Sequence, residues 1–215
     1  MIRIGSRADV SGTGNVMLAQ ISAVVTMLGV LVALVALILL HGLPTRLSPI
    51  RDAVSAYGIS PYRGLYRTQT IATAVAAAAL AVAVSSAVPS GSTLAVVFLA
   101  ILAVARLIIG WFPMDAPGTS RTSTGRVHNL LAFAAFAAAS VGGFMVGIAF
   151  ANDPGLAPFA DVSSILGWIM SAASVLTLLA AVVPALRGIF GLAERVIYLA
   201  MLAWLTYSAV VLLVA

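Results

Sequence analysis

A chain of 215 residues that is 62% hydrophobic and only 8% charged cannot clothe a water-facing surface, because soluble domains carry roughly 25% charged residues. The mean hydropathy of +1.16 excludes a separate soluble domain and leaves room for six apolar helices of about 20 residues each. The net charge of +5 comes from 11 arginines, with no lysine. Most of them sit in loops beside apolar runs, which points to membrane topology and lipid headgroups and excludes nucleic acid as a partner.

The first span is expected over residues 16–40. Arg3 and Arg7 precede it, as in a secretory signal, but the apolar run is too long and no small-residue cleavage site follows, so it should stay as an anchor. The connection from His41 to Leu65 then carries a helix start. Ser48 can cap, Pro49 suits the first helical position, and Ile50, Val54 and Tyr57 fall on one face. Gly58 is a plausible stop. A short amphipathic helix from Pro49 to Tyr57 is therefore predicted at the membrane interface, with the carboxylate of Asp52 and the guanidinium of Arg51 on its polar face.

The second span is expected over 66–88 and the third over 93–112, parted by the turn Pro89-Ser90-Gly91. The second presents Ala72, Ala76, Ala79 and Ala83 along one stripe. Arg106 lies some six residues inside the end of the third, roughly 9 Å at 1.5 Å per residue. A charge at that depth either faces a partner or snorkels to the interface, and Asp115 and Asp52 are the expected partners. The fourth span is expected over 127–151, with His128 in its first turn and Asn129 beside it. The helix dipole there favours neutral imidazole, which can accept a proton. Gly143 and Gly147 follow at G-x-x-x-G spacing. With the alanine stripe they offer close helix packing and a seam for a homo-oligomer. After the turn Asn152-Asp153-Pro154-Gly155 come the fifth span over 162–186, with Pro184 near its end, and the sixth over 193–214.

The whole is thus an all-α, polytopic membrane protein, a single domain of six transmembrane helices with a short interfacial helix between the first two. Arg46, Arg51, Arg63, Arg67, Arg121, Arg126, Arg187 and Arg195 fall in loops on one side, against only Arg3 and Arg7 on the other. The positive-inside rule puts the first group in the cytoplasm and both termini outside the cell membrane.

The segments LSPIRDAVSAYG, PYRGLYR, RLIIGWFPMD and GRVHN resemble the domain-of-unknown-function 998 family of small prokaryotic membrane proteins. The likeness covers about half the chain, and the order Phe-Pro-x-Asp then Gly-x-x-His-Asn is its most specific part. It implies about six spans and marks Asp52, Asp115 and His128 as functional positions, without implying an activity. A more distant likeness is to membrane hydrolases of the ceramidase and progestin-receptor type. Those use about three histidines around zinc, two of them in an H-x-x-x-H pair. This chain has His41 and His128 alone, so no metal and no cofactor is expected.

Three functional classes stay open. The first is binding of lipid headgroups or a small anionic molecule in a cytoplasmic-side cleft, with Arg106, Arg51, Arg126 and Asn129 as ligand-binding residues. A second is a membrane-embedded lipid hydrolase in which His128 works with Asp115 or Asp52, although no nucleophile motif accompanies them. The third is a structural or partner-binding subunit. Membrane lipids are the partners common to all three.

Overall fold

The computed structural model describes residues 7–214, with side-chain environments from residue 12 onward. The expectations about Arg3 and the terminal Ala215 lie outside the described residues. Among the described residues there are six long helices: α1 (Arg7–Gly42), α2 (Arg63–Ala87), α3 (Thr93–Ile109), α4 (Ser123–Ala151), α5 (Ala160–Val182) and α6 (Phe190–Val214). No strand occurs among the described residues. In hydrocarbon every backbone N–H and C=O must find a partner inside the protein, and helices achieve this within each segment. Five helical stretches are long and apolar enough to cross a membrane, and α3, at 17 residues, is a shorter apolar helix. It measures about 26 Å at 1.5 Å per residue, slightly under a hydrocarbon core of about 30 Å. The protein is a polytopic helical membrane protein.

Successive helices pack side by side, and α1 returns against α6 to close the bundle. Of the spanning segments, the one ending in α6 is the most enclosed and the one ending in α5 the least. Trp204 of α6, wholly buried, donates its indole N–H to Ser163 Oγ at 3.0 Å, and that hydroxyl donates to the Gly143 carbonyl at 2.8 Å. One chain of bonds thereby pins α6, α5 and α4 together.

The small-residue faces are used within the chain. A Cβ on Gly29 of α1 would meet the Ala72 carbonyl oxygen at 2.9 Å and the Ala76 Cβ at 3.0 Å. A Cβ on Gly143 would meet the Gly167 Cα at 2.8 Å. Close approach of backbones is what these residues permit. Ala72, Ala76 and Ala83 are accordingly buried inside the bundle.

The ends of the helices follow local chemistry. The fifth span stops at Val182, short of the expected Leu186, because Val183 precedes Pro184 and is extended (φ −93, ψ 114). A residue before proline is pushed out of the helical region. Pro184 then starts a separate 3-10 helix, Pro184–Ile189. Between α4 and α5, Asp153 Oδ1 accepts from the Gly155 and Leu156 amides at 2.9 and 3.2 Å, an Asx turn.

The short helix expected between the first two spans is present, but it begins at Val54 and is a 3-10 helix, Val54–Ile59. Ser48 does cap a turn, accepting from the Arg51 amide at 3.4 Å, while the Ser48 amide donates to Asp52 Oδ2 at 2.6 Å. The chain then straightens at Ala53 (φ −58, ψ 147). Ile50 is exposed, whereas Val54 and Tyr57 are buried, so the expected common face of these three residues does not form. The segment is stapled to the start of α6 instead. The Leu192 amide donates to the Ile50 carbonyl at 2.9 Å, and Arg195 Nη1 donates to the Asp52 carbonyl at 2.8 Å. Gly191 lies so close to the Asp52 backbone that a Cβ there has no room.

Candidate functional site

The arginine-rich end of the bundle gathers nearly all the chemistry. Arg106 is completely enclosed in α3, so it does not snorkel. Its Nη2 donates to Gln69 Oε1 of α2 at 2.6 Å and its Nη1 to the Tyr198 hydroxyl of α6 at 2.9 Å. The guanidinium carbon also lies 4.9 Å from the centroid of the Tyr198 ring, a cation–π distance. Nε has no partner. The hydroxyl of Tyr66 is near enough to Tyr198 and Arg106 to act on them electrostatically, yet it makes no hydrogen bond of full geometry. The expected partners Asp115 and Asp52 do not serve Arg106. The guanidinium is held by Gln69 and Tyr198 instead, and among the described residues it forms no ion pair with a carboxylate.

Glu194 lies in the first turns of α6 and is 4% exposed. Its Oε2 accepts from the Val54 amide at 2.6 Å, so a carboxylate from the sixth helix caps the 3-10 helix of the first loop. Glu194 is absent from the residues the sequence marks for the site. The signal was there: Glu194 stands four residues before Tyr198, on the same helical face, inside the expected sixth span. Arg195 itself binds back to the first loop, and its Nε donates to His41 Nε2 at 2.7 Å. His41 Nδ1 donates to the Leu37 carbonyl at 2.7 Å, so both ring nitrogens of His41 are occupied.

Asp115 and His128 are organised by the turn between α3 and α4. Asp115 Oδ1 accepts from the Thr122 hydroxyl at 2.6 Å and Oδ2 from the Thr122 amide at 3.1 Å. Thr122 in turn caps α4, accepting from the Gly125 amide at 3.0 Å. The Asp115 carboxylate fills the place a Cβ on Gly125 would take. His128 Nδ1 donates to the Phe112 carbonyl at 2.6 Å. A carbonyl can only accept, so the proton on Nδ1 is fixed and, in the neutral ring, Nε2 carries the lone pair. The spacing of Phe-Pro-x-Asp and Gly-x-x-His-Asn therefore encodes the closure of this turn. Neither Asp115 nor Asp52 is hydrogen-bonded to His128.

The hydrogen bonds from Thr122, helped by Arg121 and Arg126, hold the Asp115 carboxyl below its ordinary value of 3.8. A depressed carboxylate contributes stability above that ordinary value and loses it as the pH falls through the folded one. The Thr122 amide resonance should accordingly titrate with a midpoint below 3.8. In Asp115→Asn that titration should vanish, as followed by NMR.

Between α4, α5 and α6, roofed by the 3-10 helix, lies a cleft of about 330 Å³. Its polar residues are Ser55, His128, Asn129, Ser174, Thr177 and Glu194, and Phe133, Phe136, Leu178 and Phe190 are among its apolar walls. Phe133 and Leu178, respectively 55% and 51% exposed, sit on the outer faces of their helices, so the cleft opens sideways toward lipid. Of the expected ligand-binding residues the cleft brings in Asn129, beside His128. Arg106 is shut behind it. Arg51 and Asp52 line a separate cavity of about 430 Å³ at the mouth, with Met114 and Phe190. Arg126 is exposed on the first turn of α4.

No curated protein and no solved structure matches the chain. The model of one family, described as protein of unknown function (DUF998), matches residues 27–211, which takes in every residue of the buried network, the α3–α4 turn and the cleft. The chain therefore belongs to the DUF998 family.

Proposed function

We propose that the protein sits in the cell membrane with its arginine-rich end in the cytoplasm and binds a membrane amphiphile in the cleft between α4, α5 and α6. The polar end of the ligand would meet His128, Asn129 and Glu194, and its chain would lie along Phe133 and Leu178. The observation that carries this reading is the make-up of the cleft: His128, Asn129 and Glu194, from the first turns of α4 and α6, stand at its loop end, and apolar walls open sideways. A volume of about 330 Å³ lies at the small end of ligand pockets, which run from about 300 to 1,000 Å³. That suits one head and part of one chain. An anion held by Arg106, Arg51 and Arg126 has less support, because those three side chains do not converge on the cleft and Glu194 does. The hydrolase reading is weakened too, since the imidazole is oriented by the Phe112 carbonyl rather than by a carboxylate.

The cleft can be filled from within. Ala137 lines it, and Ala137→Trp should place an indole in the ligand's space. With the protein in phosphatidylcholine nanodiscs, a fluorescent single-chain amphiphile should bind the wild type saturably, above its partition into empty discs. It should bind Ala137→Trp at least about tenfold more weakly, a loss of about 1.4 kcal/mol. Equal binding by both proteins would place the ligand elsewhere and reject the proposal.

A further inference from the structure

We infer that the cavity at the mouth is the water-side compartment of the cleft, so that small polar solutes reach His128, Asn129 and Glu194 from the arginine-rich end while the apolar walls stay open to lipid. That those solutes meet the head of an amphiphile rests on the reading proposed above. The passage itself rests on the wall between the two spaces.

That wall is one layer of residues thick. Phe190, the first residue of α6, lines both the cleft and the mouth cavity. Ser55 lines the cleft and Met114 the cavity, and the Ser55 hydroxyl donates to the Met114 sulfur at 3.3 Å. Ala53 and Ala56, on either side of Val54 and Ser55, line the cavity as well. The 3-10 helix is thus at once the roof of the cleft and the floor of the cavity. The lateral grooves between α5 and α6 and between α1 and α6 share no lining residue with the mouth cavity.

The wall has a fixed part and a yielding part. Its backbone is stapled to α6: the Val54 amide to Glu194 at 2.6 Å, the Asp52 carbonyl to Arg195 at 2.8 Å and the Ile50 carbonyl to the Leu192 amide at 2.9 Å. Its two large side chains are not. A thioether sulfur is a weak acceptor on a stem with three rotatable bonds, so Met114 leaves Ser55 at little cost. Phe190 is half-buried, has no polar atom in its side chain, and follows a 3-10 helix, Pro184–Ile189, that buries no residue. Rotation of these two side chains joins the spaces without moving a helix. The cleft has a use for such an entrance. His128 Nδ1–H is committed to the Phe112 carbonyl, and Nε2 makes no hydrogen bond among the described residues. Lipid chains offer no hydrogen bond, so a cleft fed from lipid alone leaves this acceptor unserved, and water from the mouth supplies a donor.

The chain has no cysteine, so one introduced thiol reports one position. Ala132 lines the cleft one helical turn beyond His128, and Val196, the control, lines the groove between α5 and α6. Ala132→Cys and Val196→Cys are labelled in phosphatidylcholine nanodiscs with a permanently charged methanethiosulfonate, which attacks the thiolate and so reports access of water. Adding Phe190→Ala or Met114→Ala should speed labelling at position 132 at least about tenfold and leave position 196 unchanged. Adding Phe190→Trp should slow it. No acceleration at position 132 in either alanine variant overturns the inference. An equal acceleration at both positions also overturns it, because it reports a loosened bundle rather than a passage. An excess of the single-chain amphiphile should protect position 132. Acceleration without that protection rejects the amphiphile and leaves the passage standing.

Discussion

Arg106→Ala should destabilise the protein by about 3–5 kcal/mol, the scale on which removing one member of a buried charged network acts. Gln69 and Tyr198 would each lose the guanidinium they face, and Glu194 would lose a positive neighbour inside the bundle. The side chain is wholly buried, so the exposed-pair regime of about 0–1 kcal/mol does not apply. Arg106→Lys should fall between the two, because an ammonium reaches one partner at a time and cannot lie flat over the Tyr198 ring as a guanidinium does. Equilibrium unfolding in mixed micelles, followed by tryptophan fluorescence, measures all three proteins. An alanine variant as stable as the wild type would mean that this network contributes nothing.

The second large effect is expected at the contact of α4 with α5. Gly143→Leu should cost about 3 kcal/mol or more, the upper range for overpacking, because the first added atom already meets the backbone of Gly167 at 2.8 Å. Backbone cannot rotate away as a side chain can, so the two helices must separate. Separation also breaks the bond from Ser163 to the Gly143 carbonyl, and with it the anchor of Trp204. Gly64→Ala is the control. Nothing lies within 4 Å of a Cβ there, and alanine is the better helix former by about 1 kcal/mol, so that variant should be neutral or slightly stabilising. The same unfolding assay separates the two outcomes.

The architecture was legible because lipid leaves a compositional signature: long apolar runs broken by Pro, Gly, Asn and Arg. The α3–α4 turn was legible in part. Asp115 and His128 were picked out for their types and their places at helix ends, and each proves to be fixed by the turn itself. What the sequence hid were the long-range partners. Arg106 is held by side chains 37 and 92 residues away, and either is an unremarkable polar residue by itself. The first loop misled for the same reason. Ser48 and Asp52 close a turn where a helix start is expected, and the backbone after it answers to Glu194 and Arg195 of the last helix, of which a local pattern carries no trace. The arginines were visible as charge. Their count set an orientation and gave no indication that Arg106 would be shut away from the cleft it was expected to line.

Photolabelling most directly tests whether the cleft is a binding site. A single-chain amphiphile bearing a diazirine in its chain should, on irradiation with the protein in nanodiscs, label the cleft faces of α4 and α5, around Phe133 and Leu178, and an excess of the same amphiphile without the diazirine should suppress the labelling. Insensitivity to that competitor, or labels spread evenly over the lipid-facing residues of α1, α3 and α6, would contradict a cleft-bound amphiphile.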